Sequence, residues 1–337
     1  MTALILIVFG STEVDAGSVL KSPEWSYDTG ENINSVDISA NGEYIVAGSS
    51  DNNTHFFSKD SSEPIWSYEA GDSIYSVAIS SNGEYIVAGG GDNFVYLFSK
   101  DNATPLWKYD VGGYVFPVSI SGDGEYIVVG NENGDVYFFD KDSSDPLWSY
   151  GTYGWVNSIS ISAEGEYIAV GTGEERGGYA PNGGKVYLFD KDSNTPLWKY
   201  DPERVVLSVS ISADGEYITA GTTDDNVHLF HKDSSTPLWT YEALQYVGSV
   251  AISADGEYII AGDYNSDVYF FHKDNNTPLW RYHTEGGRIF SVAISADGEY
   301  IAVGGYDYSY FFLKDSNTPL WHCPTENKAW DVALATT

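Results

Sequence analysis

A unit of about 41 residues recurs from one end of this chain to the other, and nothing else in the sequence restricts the fold as strongly. Gly-Glu-Tyr begins at Gly42, Gly83, Gly124, Gly165, Gly215, Gly256 and Gly298, at intervals of 41, 41, 41, 50, 41 and 42 residues. Pro-x-Trp ends at Trp25, Trp66, Trp107, Trp148, Trp198, Trp239, Trp280 and Trp321, spaced by 41 apart from one interval of 50. A short alternating segment of the type SVAIS begins at Ser35, Ser76, Pro117, Ser158, Ser208, Ser249, Ser291 and, in degenerate form, Asp331. Such a period marks an array in which each unit buries its apolar face only by stacking on its neighbours. The 337 residues therefore read as a single domain, although length alone suggests two.

Each repeat carries four strand signals and no helical periodicity. In residues 76–109, Ser76 to Ser80 alternates, Ser81-Asn82-Gly83 is turn chemistry, and residues 85–88, 94–98 and 105–109 follow as further short strands. Pro at the head of the fourth suits an outer edge, where no ladder donor is needed. Trp and Tyr two apart on that strand share one face. Eight such tryptophans supply a large gross burial, so their role is structural. Lys-Asp at Lys59, Lys100, Lys141, Lys191, Lys232, Lys273 and Lys314 falls in the turn before the fourth strand and reads as turn architecture.

The fold expected is all-β: an eight-bladed β-propeller of four-stranded antiparallel blades, inner strand A to outer strand D. Seven blades are complete within the chain. The eighth is assembled from residues 1–28 and 329–337, with residues 4–9 as strand B, 14–20 as C, 24–27 as D, and 329–335 as A. Closure by strands from both ends hides sheet edges. The alternatives are seven blades with loose ends, or an N-terminal leader. A leader usually has a positive n-region, and no Lys or Arg precedes Lys21. The strand reading places the protein in the cytoplasm; a leader places it at the cell surface or outside the cell.

The order SVAISADGEYI-x-AG…D-x-VYFF, as in residues 249–271, resembles the WD-repeat propeller family. Phe-Ser, Phe-Asp or Phe-His stands where that family has Trp-Asp, and its Gly-His pair is absent. The KDSNTPLW turn is similar to repeats of quinoprotein-type propellers, where a Trp docks neighbouring blades. The resemblance covers essentially the whole chain and implies a divergent WD-like or quinoprotein-like propeller of prokaryotic or archaeal type.

Charge narrows the partners. Forty-nine Asp and Glu against 16 Lys and Arg give a net charge of −33, which disfavours nucleic acid and anionic membranes. No apolar run reaches the length of a membrane helix. The lone Cys323 occupies a Tyr slot of the repeat and reads as packing. His231 and His272 are repeat echoes, and no metal-ligand spacing, nucleophile elbow or phosphate loop is present. No cofactor, metal or catalytic residue is assigned.

Function is expected where the repeats differ. In the propellers that this chain resembles, the segments before strand A and between B and C share one face. There Tyr75, Tyr114, Phe116, Trp155, Tyr246, Arg288, Phe290 and Trp330 flank an apolar position that faces the blade core, so alternation aims them at the channel mouth. The nine extra residues of blade four fall in its B–C loop, 171–185, with Arg176 and Tyr179. Exposed aromatics beside cations suit a protein, peptide or glycan partner. A structural surface or filament component is the second expectation, and a hydrolase or lyase with a channel-mouth site the third. Oligomeric state is not readable.

Overall fold

The computed structural model describes residues 19–152, 154–173, 183–285, 287–325 and 328–335. Among them, seven four-stranded antiparallel sheets follow one another along the chain, spanning Ile33 to Glu69, Ile74 to Asp110, Val115 to Gly151, Val156 to Tyr200, Val206 to Glu242, Val247 to His283 and Ser291 to Pro324. Within each, consecutive strands are neighbours, and strand A of each blade contacts strand A of the next. The chain is a β-propeller.

Among the described residues the blade count is seven, which corrects the expected eight. Val19–Leu20 pairs in parallel with Trp321 and His322, as a fifth strand on the outer edge of blade seven. Residues 24–27 and 329–335 have no strand ladder, and the expected strand at 4–9 lies outside the described residues. The physical reason lies in which backbone groups are free. The outer strand Trp321–Pro324 offers an open edge, which the N-terminal strand takes. At the other tip, the Asp331 carboxylate accepts hydrogen bonds from the Ser291 hydroxyl and the Val36 N–H, so side-chain contacts stand in place of a ladder.

The recurrent residues are interface residues. The Pro-x-Trp indoles of blades one to six donate from Nε1 to the carbonyl of the Lys in the next blade's C–D turn, for example Trp66 to Lys100 at 2.9 Å, Trp107 to Lys141 at 2.7 Å and Trp280 to Lys314 at 2.7 Å. Trp25 does the same to Lys59 of blade one and packs on Phe57, although its own segment is not a strand. The same Lys side chains reach back to the Glu of Gly-Glu-Tyr in their own blade, as in Lys59–Glu43 and Lys273–Glu257. The Gly of Gly-Glu-Tyr sits under the Tyr of the preceding blade. Gly83 has φ +73°, and a Cβ there would lie 2.6 Å from Tyr44 Cδ2, so no other residue fits without strain. The apolar core lies between blades: one cluster joins Val46, Phe56 and Trp66 of blade one to Ile74, Val77, Ile86 and Phe98 of blade two. Cys323 is buried within the corresponding cluster at blade seven, and burial pushes its thiol up, consistent with a packing role.

Around the channel, the first Ser of SVAIS accepts the N–H of the second residue of the next inner strand. Ser35 takes Val77, Ser76 takes Val118, Ser158 takes Val209, Ser208 takes Val250, Ser249 takes Val292 and Ser291 takes Val332, at 3.0–3.2 Å. Asp331 then takes Val36, and the series is interrupted at blade three, where Pro117 has no hydroxyl.

Candidate rim site at the channel mouth

One face of the ring carries the segments that vary, and backbone bonds tie them together. The first residues of the B–C loops donate to carbonyls of the D–A loops: Glu132 to Tyr114, Gly173 to Trp155 and Tyr264 to Tyr246, each at 3.0 Å. Both loop types therefore share a face, as the alternation implies.

The residue before SVAIS is set apart by a register shift. The ladder between strands A and B breaks between Ile74 and Ser76, Val115 and Val118, Val156 and Ser158, and at the equivalent points of blades one, five and six. Ile74, Val115, Val156, Val206 and Val247 are fully buried, while the next residue is the unpaired member of a bulge. A bulge re-aims its side chain, which frees this position from sheet packing. Sequence alternation found the position but not the bulge.

Where the bulge residue is Asn, it is used internally: Asn34 and Asn157 donate to the carbonyls of Ile74 and Val206 at the head of the next inner strand. Where it is aromatic, rings join across blades. Tyr75 stacks on Phe116 with centroids 5.6 Å apart, Phe116 stacks on Trp155 at 5.7 Å, and Tyr114 meets Tyr75 edge-on at 6.4 Å. This first arc spans blades two to four. Burial, with help from Asp72, holds the Tyr75 hydroxyl above the usual phenol range.

A second arc spans blades six and seven and the C-terminal segment. Phe290 lies 4.8 Å from Trp330 and 6.4 Å from Tyr306, centroid to centroid. The Arg288 guanidinium carbon is 3.3 Å from the Tyr264 ring centroid, and Tyr246 lies 6.0 Å from Tyr264. Lys328 Nζ is 4.5 Å from the Trp330 ring. Tyr114, Tyr246, Tyr306 and Trp330 are each more than 40% exposed.

Eight of the ten expected residues thus fall into two clusters; Arg176 and Tyr179 lie outside the described residues. Tyr264 and Tyr306 were missed. They occupy one offset in the B–C loop, two residues past the Gly that ends the strand, where other repeats carry Ser50, Gly91, Glu132 or Thr223. That substitution was the available signal. Gly248 belongs with them, because a Cβ there would lie 2.4 Å from Tyr264 Cε1.

Deeper in the wall, Asp37 stands where other blades carry Ser or Ala, and Asp331 where they carry Ser or, in blade three, Pro117. Desolvation pushes the Asp37 carboxyl up to about 7, against hydrogen bonds from the Ile79 and Ile38 N–H groups and with added repulsion from Asp331. Desolvation raises Asp331 as well. Among the described residues, no three His, Cys, Asp or Glu side chains are grouped to hold a metal ion. His231 and His272 are each flanked by two acids of their own repeat, Glu216 with Asp233 and Glu257 with Asp274, as expected of repeat echoes.

Residues 17–154 and 182–314, well over half the chain, match the family model described as outer membrane protein assembly factor BamB. A search of curated proteins gave no match.

Proposed function

The chain belongs to this family of quinoprotein-type β-propellers, and from that premise we propose that it is a non-enzymatic scaffold that binds a partner at its loop-bearing rim. A protein or peptide is favoured over a glycan, because the matching family is described as an assembly factor. One observation carries the reading. Aromatic side chains from separate blades, Tyr75, Phe116 and Trp155 on one side and Phe290 and Trp330 on the other, are gathered at the one face where the repeats diverge. Packing of the blades does not require an aromatic at the bulge that Tyr75 and Phe116 occupy, since Asn34 and Asn157 fill the equivalent bulges by hydrogen bonding. Clustered aromatics in a polar surround are the common energetic centres of binding surfaces.

The test is capture of a partner from native extract by the wild-type chain, by Tyr75→Ala/Phe116→Ala and by Phe290→Ala/Trp330→Ala, with melting temperature as the folding control. Loss of capture by either pair, with the fold intact, supports a rim site. Undiminished capture by both pairs removes it.

A further inference from the structure

We propose that the second arc is a carboxylate-binding site and that its occupant is an acidic peptide segment. The inference rests on the rim being a binding surface, and narrows it to one place and one chemistry.

Positive charge is scarce in this chain, and most of it is committed. Of 16 Lys and Arg, seven are the turn lysines, each paired with the Glu of its own blade. Lys185 pairs with Asp201, and Arg281 with Asp267. Among the described residues neither Arg288 nor Lys328 makes an ion pair, although the chain carries 49 acids, and both are held against aromatic rings instead. Among the described residues Lys21, Lys108, Lys199 and Arg204 also make no ion pair, and Lys21 and Lys108 also lie against rings, but only Arg288 and Lys328 share one ring.

They also converge. Arg288 lies 5.3 Å and Lys328 5.6 Å from the centroid of the same Phe290 ring, and Lys328 is 5.7 Å from Tyr306. Cation–π contact holds each in position while leaving its donors available. With its carbon 3.3 Å from the Tyr264 centroid, the Arg288 guanidinium lies against the ring, so the N–H donors at its edge remain open to a planar carboxylate.

The geometry selects a class of anion. Each within 6 Å of one ring centroid, the two positive groups stand no more than about 11 Å apart, a span that two carboxylates two residues apart on an extended peptide, roughly 7 Å, can bridge. Exposed Tyr306 and Trp330 offer flat apolar surface beside them for the peptide backbone. A nucleic acid needs many cations along a track, against a net charge of −33.

Isothermal titration of the full chain with the octapeptide (Gly-Glu)4, its neutral counterpart (Gly-Gln)4 and tetragalacturonate tests this. The expected result is binding of (Gly-Glu)4, with (Gly-Gln)4 weaker by at least about tenfold. Arg288→Gln/Lys328→Gln should lose a similar factor at unchanged melting temperature, Arg288→Lys should lose less, and Lys108→Gln, which removes a cation held against Phe94 on the outer strand of blade two, should bind normally. Equal binding of the two peptides, no binding of (Gly-Glu)4, an unaffected double variant, or uptake of tetragalacturonate in place of the peptide each overturns the proposal. The wider rim reading fails separately. If Phe290→Ala/Trp330→Ala abolishes partner capture while Arg288→Gln/Lys328→Gln leaves it intact, only the carboxylate assignment falls. If no aromatic variant affects capture, the rim itself falls.

Discussion

Asp331 accepts a hydrogen bond from the backbone N–H of Val36 at 3.0 Å, across 295 positions of sequence. Its other oxygen accepts from the Ser291 hydroxyl at 2.8 Å and from the N–H of Val332 at 2.9 Å. One carboxylate thus links the inner strands of the last and first blades, where a hydroxyl does that work between most others.

Removing that carboxylate should open the seam. Asp331→Ala leaves the Val36 N–H and the Ser291 hydroxyl without their acceptor, at a cost of roughly 1–3 kcal/mol. Urea unfolding should show the loss, and amide exchange should speed up selectively in the inner strands of blades one and seven.

Asp37 should make stability fall with rising pH. Its folded pKa, about 7, exceeds the ordinary carboxyl value of 3.8, so between those values the folded state binds more protons than the unfolded chain. The stabilisation is complete below about pH 4, is lost as pH rises towards 7, and is absent above. Asp37→Asn, which keeps an acceptor for the Ile79 N–H, should flatten that slope and add roughly 1–2 kcal/mol at pH 8. Thermal melts of both proteins from pH 4 to pH 8 provide the comparison; parallel curves contradict the assignment.

Gly83→Ala should be severe for so small a change. It places a Cβ at φ +73° and 2.6 Å from the Tyr44 ring, so backbone strain and an interblade clash act together. A loss of about 2–4 kcal/mol is expected in chemical denaturation. Gly30, also at positive φ but with nothing within 4 Å, should lose less when replaced by Ala.

Salt should stabilise the ring. Screening weakens repulsion among 33 excess negative charges, while the Lys–Glu pairs that it also weakens are exposed and contribute little. The melting temperature should rise from 10 mM to 1 M KCl; a flat or falling trend contradicts this.

Blade architecture was readable because its signals are local. The Gly of the A–B turn, the Glu that meets the Lys and the Trp that reaches the next Lys carbonyl all recur in phase with the strands. The blade count was not readable, because it depends on where short terminal segments pair. Apolar alternation around Leu20 says that a strand is wanted, but not whether its partner is a new sheet or the open edge at Trp321. At the rim, alternation located Tyr75, Phe116 and Phe290, whose positions follow from the buried residue before each. Tyr264 and Tyr306 escaped because they sit in the B–C loops, and Gly248 because an absent side chain shows its purpose only beside the ring it accommodates.

The indole and serine contacts each reach one repeat forward and no further, and the lysine side chains pair within their own repeat. Nothing in them encodes how many copies the circle holds, so duplication or deletion of a unit leaves every surviving junction chemically intact. What ends the series is the odd residue at position 331, where an acid replaces the usual hydroxyl. Evolution could therefore resize this protein by rewriting one joint instead of many.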